Sequence, residues 1–446
     1  MATILTGQSE YDVKARHIAG THAEKLAQID AAIQELIDIK MLECAGDRAG
    51  VQFLAVPRPR SHALAMTLTI LAMLIVLVLL LGVRASHAQT SQDVLPPPAW
   101  HAAATLDLSY ANDSNDPANH LFRSRGTTPR VDEFAVNMAA ASVKKAATSA
   151  SRWGIELTAQ AGRDTDAFGF SPTAPNIDGG DWLRRLGPVD VTYLADVGRG
   201  LTIQGGIFSS LIGYDSLYAK DNFTYTRPWG ADFTPYLMLG GNVAYPFSDR
   251  LTVTGFVINS YFHLSQPNDV PSVGGQLAYA VSPELTVKET ALYGPHQAET
   301  SIGTWRILSD TILERKWRRA TVAGELQLAT EAVAGTAEQA SWFSAQLPIH
   351  VVLSGPWSVT LRPEAARDRS GRYTSVAQTV YAITSTLEYR RHAGNADAIV
   401  RGEYRVDDSR GPSGGFYSGP DNMLVPRQHL VIGAFILAFD RPLKVS

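Results

Sequence analysis

The chain has 446 residues, 45% of them hydrophobic, and a formal net charge of −4 with no long block of one sign. That pattern excludes a nucleic-acid partner, which requires clustered Lys and Arg. The only cysteine, Cys44, precedes an uncharged apolar run at 67–83, so the chain beyond that run can hold neither a disulfide nor a thiolate-bound metal.

Residues 1–57 are an N-terminal extension, in which Leu26, Ile29, Ile33, Leu36, Ile37 and Met41 recur at helical spacing over 23–42. A start codon nearer the apolar run is the alternative to translating this segment. Residues 58–88 read as a signal peptide: Arg58 and Arg60, the apolar run, then the small-residue exit Ser86-His87-Ala88. An uncleaved anchor competes with it, since the run approaches the ~17 residues at which a helix begins to span. Pro96-Pro97-Pro98 marks 89–100 as an extended linker, and 101–446 is the exported domain. No second long apolar run follows, which excludes a helical membrane protein.

From residue 102 the text alternates with a period of two. In 152–162, Trp153, Ile155, Leu157, Ala159 and Ala161 share one face, while Glu156, Thr158 and Gln160 share the other. The pattern predicts strands over 102–110, 133–145, 152–162, 187–197, 201–208, 232–245, 251–261, 274–281 and 284–293. It continues over 304–313, 318–330, 340–353, 357–366, 379–390, 396–406 and 429–439. Tight links (197–200, 247–250, 282–283, 354–356 and 391–395) alternate with long polar loops, among them 111–132, 163–186, 209–231 and 407–428. A soluble sandwich has no reason to sort short and long connections in this way. The reading is an all-β protein: a transmembrane antiparallel up-and-down β-barrel of about 16 strands, with short periplasmic turns and long extracellular loops. Trp153, Tyr245, Tyr261, Tyr293, Tyr389 and Tyr404, near strand ends, suit the aromatic girdles of such a barrel.

The segment 205–261, GGIFSSLIGYDSLYAKDNFTYTRPWGADFTPYLMLGGNVAYPFSDRLTVTGFVINSY, is a strand ending in a Gly-Tyr turn, an aromatic-rich loop, then two strands joined tightly. With ATLDLSYANDSND at 104–116 and FAVNMAAASVKK at 134–145, it resembles the OmpL-like β-barrel porins of Gram-negative outer membranes. The last strand, HLVIGAFILAF, ends on Phe439 and resembles the C-terminal signature read by the barrel-assembly machinery; the tail 440–446 departs from it.

The resemblance implies passive diffusion of small hydrophilic solutes or ions through a water-filled lumen in the bacterial outer membrane, with no cofactor. Outer-membrane lipid is then a partner, and a homo-oligomer is left open. The third long loop stands where many porins fold a constriction inward, and it brings Asp215, Lys220, Asp221 and Arg227, with Asp232 nearby. The remaining pore-lining candidates lie on late strands: Arg319, Glu325, Arg362, Glu364, Glu388, Arg401, Glu403 and Arg405. These set a transverse field across the pore, or else pair with one another along the wall. The rival readings are a non-conducting barrel acting as adhesin or structural protein, and a barrel hydrolase. For the latter only Ser260 and His263 lie close together, and no nucleophile-elbow, zinc-helix or phosphate-loop motif accompanies them. The histidines have no metal-ligand spacing, and the acidic stretch 112–116 reads as a polar surface loop rather than a calcium site.

Overall fold

The computed structural model describes residues 100–166, 182–262, 264–265, 268–297, 300–412 and 414–443. The N-terminal extension, the leader, nearly all of the linker and His263 lie outside the described residues. The strands are β1 (Trp100–Asp113), β2 (Phe134–Lys145), β3 (Trp153–Ala161), β4 (Leu186–Ala195), β5 (Leu201–Ser209), β6 (Leu237–Pro246), β7 (Leu251–Ile258), β8 (Ser272–Ala280), β9 (Leu285–Pro295) and β10 (Trp305–Lys316). They continue as β11 (Ala320–Ala332), β12 (Gln339–Gln346), β13 (Ile349–Val352), β14 (Trp357–Asp368), β15 (Gln378–Ala393), β16 (Ala396–Ser409), β17 (Phe416–Ser418), β18 (Met423–Val425) and β19 (Arg427–Leu443).

Every strand of the large sheet pairs antiparallel with its neighbours, and β19 pairs with β1 from Trp100↔Leu443 to Asp113↔Leu430. That last pairing closes the sheet, leaving no edge with unpaired N–H and C=O groups. β12 and β13 are two halves of one barrel strand, since both lie between β11 and β14. The predicted strand over 340–353 is interrupted because Pro348 has no N–H to give. The product is a closed barrel of 16 strands.

Alternation explains which side of each strand faces where. Along β14, Ser358, Thr360, Arg362 and Glu364 are buried inside, while Trp357, Val359 and Leu361 are exposed outside. The exterior is an apolar band carrying Leu106, Leu157, Val191, Val257, Leu277, Leu387 and Val400. Paired rings stand at its borders: Trp153 with Tyr193 and Trp357 with Tyr389 toward the short turns, Tyr110 with Phe134 and Tyr293 with Trp305 toward the long loops. This is the surface that hydrocarbon and its two interfaces require.

Four sequence expectations are corrected. Tyr261 belongs to no girdle: it lies in the β7–β8 loop, 2% exposed, donating its hydroxyl to the Phe233 carbonyl. β6 begins at Leu237 rather than 232, because residues Trp229–Phe233 form a 3-10 turn and Pro235 cannot donate to a ladder. The last strand does not stop at Phe439. It runs on to Leu443, because β1 starts at Trp100 and offers partners for residues 440–443. Finally, β19 is apolar on both faces: Leu430, Ile432, Ala434 and Ile436 point inward, where a polar lumen wall was expected.

Candidate functional site

The segment 210–236, between β5 and β6, lies inside the barrel and is tied to its wall at successive points. The Gly213 N–H donates to Asp310 on β10, and the Tyr214 N–H to Glu325 on β11, at 2.8 and 3.1 Å. Asp215 accepts from Gln346 on β12 at 2.7 Å. Farther on, the Tyr225 and Thr226 N–H groups donate to the two carboxylate oxygens of Glu403 on β16, at 2.6 and 2.9 Å. The Trp229 N–H donates to Glu364 on β14 and its indole N–H to Asp407 on β16, at 2.6 and 2.8 Å. Past the intervening β19, Asp107 on β1 accepts from the Tyr225 hydroxyl and the Asn137 amide on β2 donates to it, each at 2.6 Å. At Gly230 the segment comes so close that a Cβ would collide with Ser344 Oγ on β12.

Three wall arginines complete the attachment by reading loop carbonyls. Arg401 donates to the carbonyls of Ala219 and Asn222 and pairs with Glu388 at 2.7 Å. Arg405 donates to the Arg227 carbonyl and pairs with Glu364 and Asp407. Arg362 donates to Thr224 Oγ1 and to the Thr226 carbonyl, with Glu364 beside it. A carboxylate or guanidinium removed from water this completely is stable only when its charge and hydrogen-bonding positions are matched. The alternation of signs along β14 to β16 supplies that match.

The candidates therefore fall into two groups. Arg227, Glu325, Arg362, Glu364, Glu388, Arg401, Glu403 and Arg405 are buried. Lys220 and Asp221 pair with each other at 2.8 Å with side chains 31% and 47% exposed, facing open space. Arg319 joins neither group: it is exposed in the short turn before β11. Asp215 is held among Gln346 and the wall charges. Arg227 donates to the carbonyls of Tyr225 and Leu217 and faces Asp164, of the second long loop, at 3.6 Å. Burial raises the Asp164 carboxyl to about 7 against the pull of Arg227, and raises those of Asp215 and Asp232 as well.

Two polar cavities open on the short-turn side of the segment. One, of about 570 Å³, is faced by Lys144, Glu156, Lys220, Asp221 and Arg390, the other, of about 840 Å³, by Lys220, Asp221, His350 and Arg390. Sequence reasoning missed Tyr225, Trp229, Arg125 and Asp407. Asp407 was findable, since it extends the alternation of Arg401, Glu403 and Arg405; the loop aromatics carry no periodic signal.

A family model described as "Putative beta-barrel porin-2, OmpL-like" matches residues 101–439. The chain belongs to this porin family. It is an outer-membrane channel protein, and its place is the bacterial outer membrane. No curated protein matches the porin. Among solved structures it is similar to an anion-selective porin from Comamonas acidovorans, at 10% identity and a TM-score of 0.48, over 76% of this chain and 99% of that one. The outer membrane channel DcaP of Acinetobacter baumannii aligns at 11% identity and a TM-score of 0.47, over 77% and 96%. OmpT of Vibrio cholerae aligns at 9% and 0.46, over 77% and 96%. With TM-scores this low, the barrel assignment rests on the closed strand order and the family match.

Proposed function

We propose that the porin passes small hydrophilic solutes or ions by passive diffusion through a path narrowed by the segment 210–236. The observation that carries this reading is the attachment of that segment along an arc of the wall that runs from β10, β11 and β12 through β14 and β16 and, past β19, on to β1 and β2. In this reading the buried charges are anchors that hold the constriction in place. Lys220 and Asp221, with Lys144, Glu156 and Arg390 across the cavities, are the groups that passing solutes meet. Charges of both signs along one path give weak ion preference, and a path this encumbered gives a small unit conductance. No catalysis belongs to this reading. Residues 58–88 act as the export leader, and the last strand is the element presented to the barrel-assembly machinery.

The test is planar-bilayer conductance of the purified protein. Discrete, long-lived steps support the proposal, and the reversal potential in a salt gradient gives the ion preference. A folded barrel that inserts yet never conducts would sink it and return weight to an adhesin or structural barrel.

A further inference from the structure

A cavity of about 370 Å³ lies at the long-loop mouth, remote from the polar cavities at the other end. Its walls come from four long loops: Phe122 and Arg123 from the first, Phe233 and Tyr236 from the third, Phe262 from the β7–β8 loop and Tyr373 from the β14–β15 loop, with Tyr417 of β17 alongside. The walls are mainly apolar, which is unusual for a surface that only has to pass water and polar solutes.

One charged group on its wall has no counter-ion. Arg123 is 9% exposed, donates to the Gly415 carbonyl at 3.1 Å and lies over the Tyr417 ring at 5.6 Å. It has no carboxylate partner among the described residues. The neighbouring Arg125 differs, because Asp232 neutralises it at 2.8 Å. Tyr373 supplies an apolar wall: the residue is 7% exposed and its hydroxyl is fully buried. Its ring is held firmly, packed between Phe233 and Trp342 at 4.7 and 4.9 Å. A nearly buried guanidinium without a counter-ion calls for an oxyanion. The aromatic walls call for a flat apolar body attached to it.

We propose that this cavity is a binding site for small aromatic monoanions of the arylcarboxylate class. Arg123 takes the carboxylate, and Phe122, Phe233, Phe262, Tyr373 and Tyr417 enclose the ring. The inference deepens the channel reading by naming a solute class gathered at the mouth, and it rests on that reading only for its consequence in transport. The volume lies at the small end of the ~300–1,000 Å³ of small-molecule sites, so a single ring fits better than a larger ligand.

Binding is measured on the purified, detergent-solubilised protein by equilibrium dialysis with benzoate, acetate and benzyl alcohol. Benzoate is expected to bind saturably at one site, with acetate and benzyl alcohol each weaker by about tenfold or more. Arg123→Gln is expected to weaken benzoate about tenfold and leave benzyl alcohol unchanged. Arg123→Lys, which keeps the charge, guards against misfolding and should bind between the two. Benzoate binding no tighter than benzyl alcohol, or unchanged by Arg123→Gln, overturns the proposal. Bilayer recordings separate the two ideas: conductance without benzoate binding refutes this site alone, whereas binding without conductance supports the site and refutes the channel reading.

Discussion

Glu403→Gln is the sharpest test of how the segment 210–236 is held. The glutamate accepts from the Tyr225 and Thr226 N–H groups and from the hydroxyls of Thr226 and Thr386. Glutamine keeps the shape but replaces one acceptor oxygen with an NH₂ group. The two hydroxyls can turn and donate elsewhere, whereas a backbone N–H cannot. Whichever way the amide is oriented, one buried N–H faces another donor, at a cost of about 1–3 kcal/mol. The neighbouring Arg401 and Arg405 keep their own carboxylates, Glu388, Glu364 and Asp407, so the wall itself stays paired. The expected result is a five- to hundredfold rise in the population of the detached segment, since ~1.4 kcal/mol is a factor of ten. In single-channel traces this appears as frequent excursions to a higher conductance, with the barrel's heat-modifiable gel mobility unchanged. Tyr404→Phe, one residue on and facing outward, is the control. Traces from Glu403→Gln that match the wild type in level and noise would refute the reasoning.

Other perturbations report on different parts of the molecule. Gly206 has φ +131° and a Cβ there would collide with the Val189 carbonyl of the adjacent strand, so Gly206→Ala should lower the yield of folded barrel in a gel-shift assay. Leu277→Arg places a charge on the lipid face near the middle of β8 and should cost about 2–4 kcal/mol in urea unfolding from vesicles, whereas Glu338→Arg in a long loop should cost almost nothing. Asp164 predicts a pH dependence. Its folded pKa of about 7 lies above the ordinary carboxylate value, so its favourable contribution is full below ~4 and fades as pH rises through 7. The difference in melting temperature between wild type and Asp164→Asn should therefore shift against the wild type between those limits, and stay level above them. A flat difference across the range would show that Asp164 is not the titrating group.

The barrel was legible because its physics is local. Lipid outside and polar groups inside impose a period of two, and all sixteen barrel strands, including both halves of the interrupted one, overlap segments predicted from the sequence. Arg401, Glu403 and Arg405 were placed on the inner face of β16 by the same rule. What joins them to Tyr225, Thr226 and Arg227 was not legible, because those contacts link residues more than 170 positions apart and no spacing encodes them. The hairpin of β17 and β18 was missed for another reason: two strands of three residues are too short to show a period. The inward face of β19 was hidden by its own composition, since a strand apolar on both sides has no alternation to read.

That last strand sets an assembly constraint. Leu430, Ile432, Ala434 and Ile436 belong to the same apolar cluster as Phe122, Trp229 and Phe416, which all come from loops. A barrel closed around water alone would wet this strip of the seam between its first and last strands. Interior filling and seam closure are thus one cooperative event, and the loops behave as a hydrophobic core threaded into a membrane tube. Cutting the segment 210–236 away should not yield a wider pore of the same protein. It should yield a barrel whose closing strand has lost part of its inner packing, Trp229 included, and which opens along the β1–β19 line first.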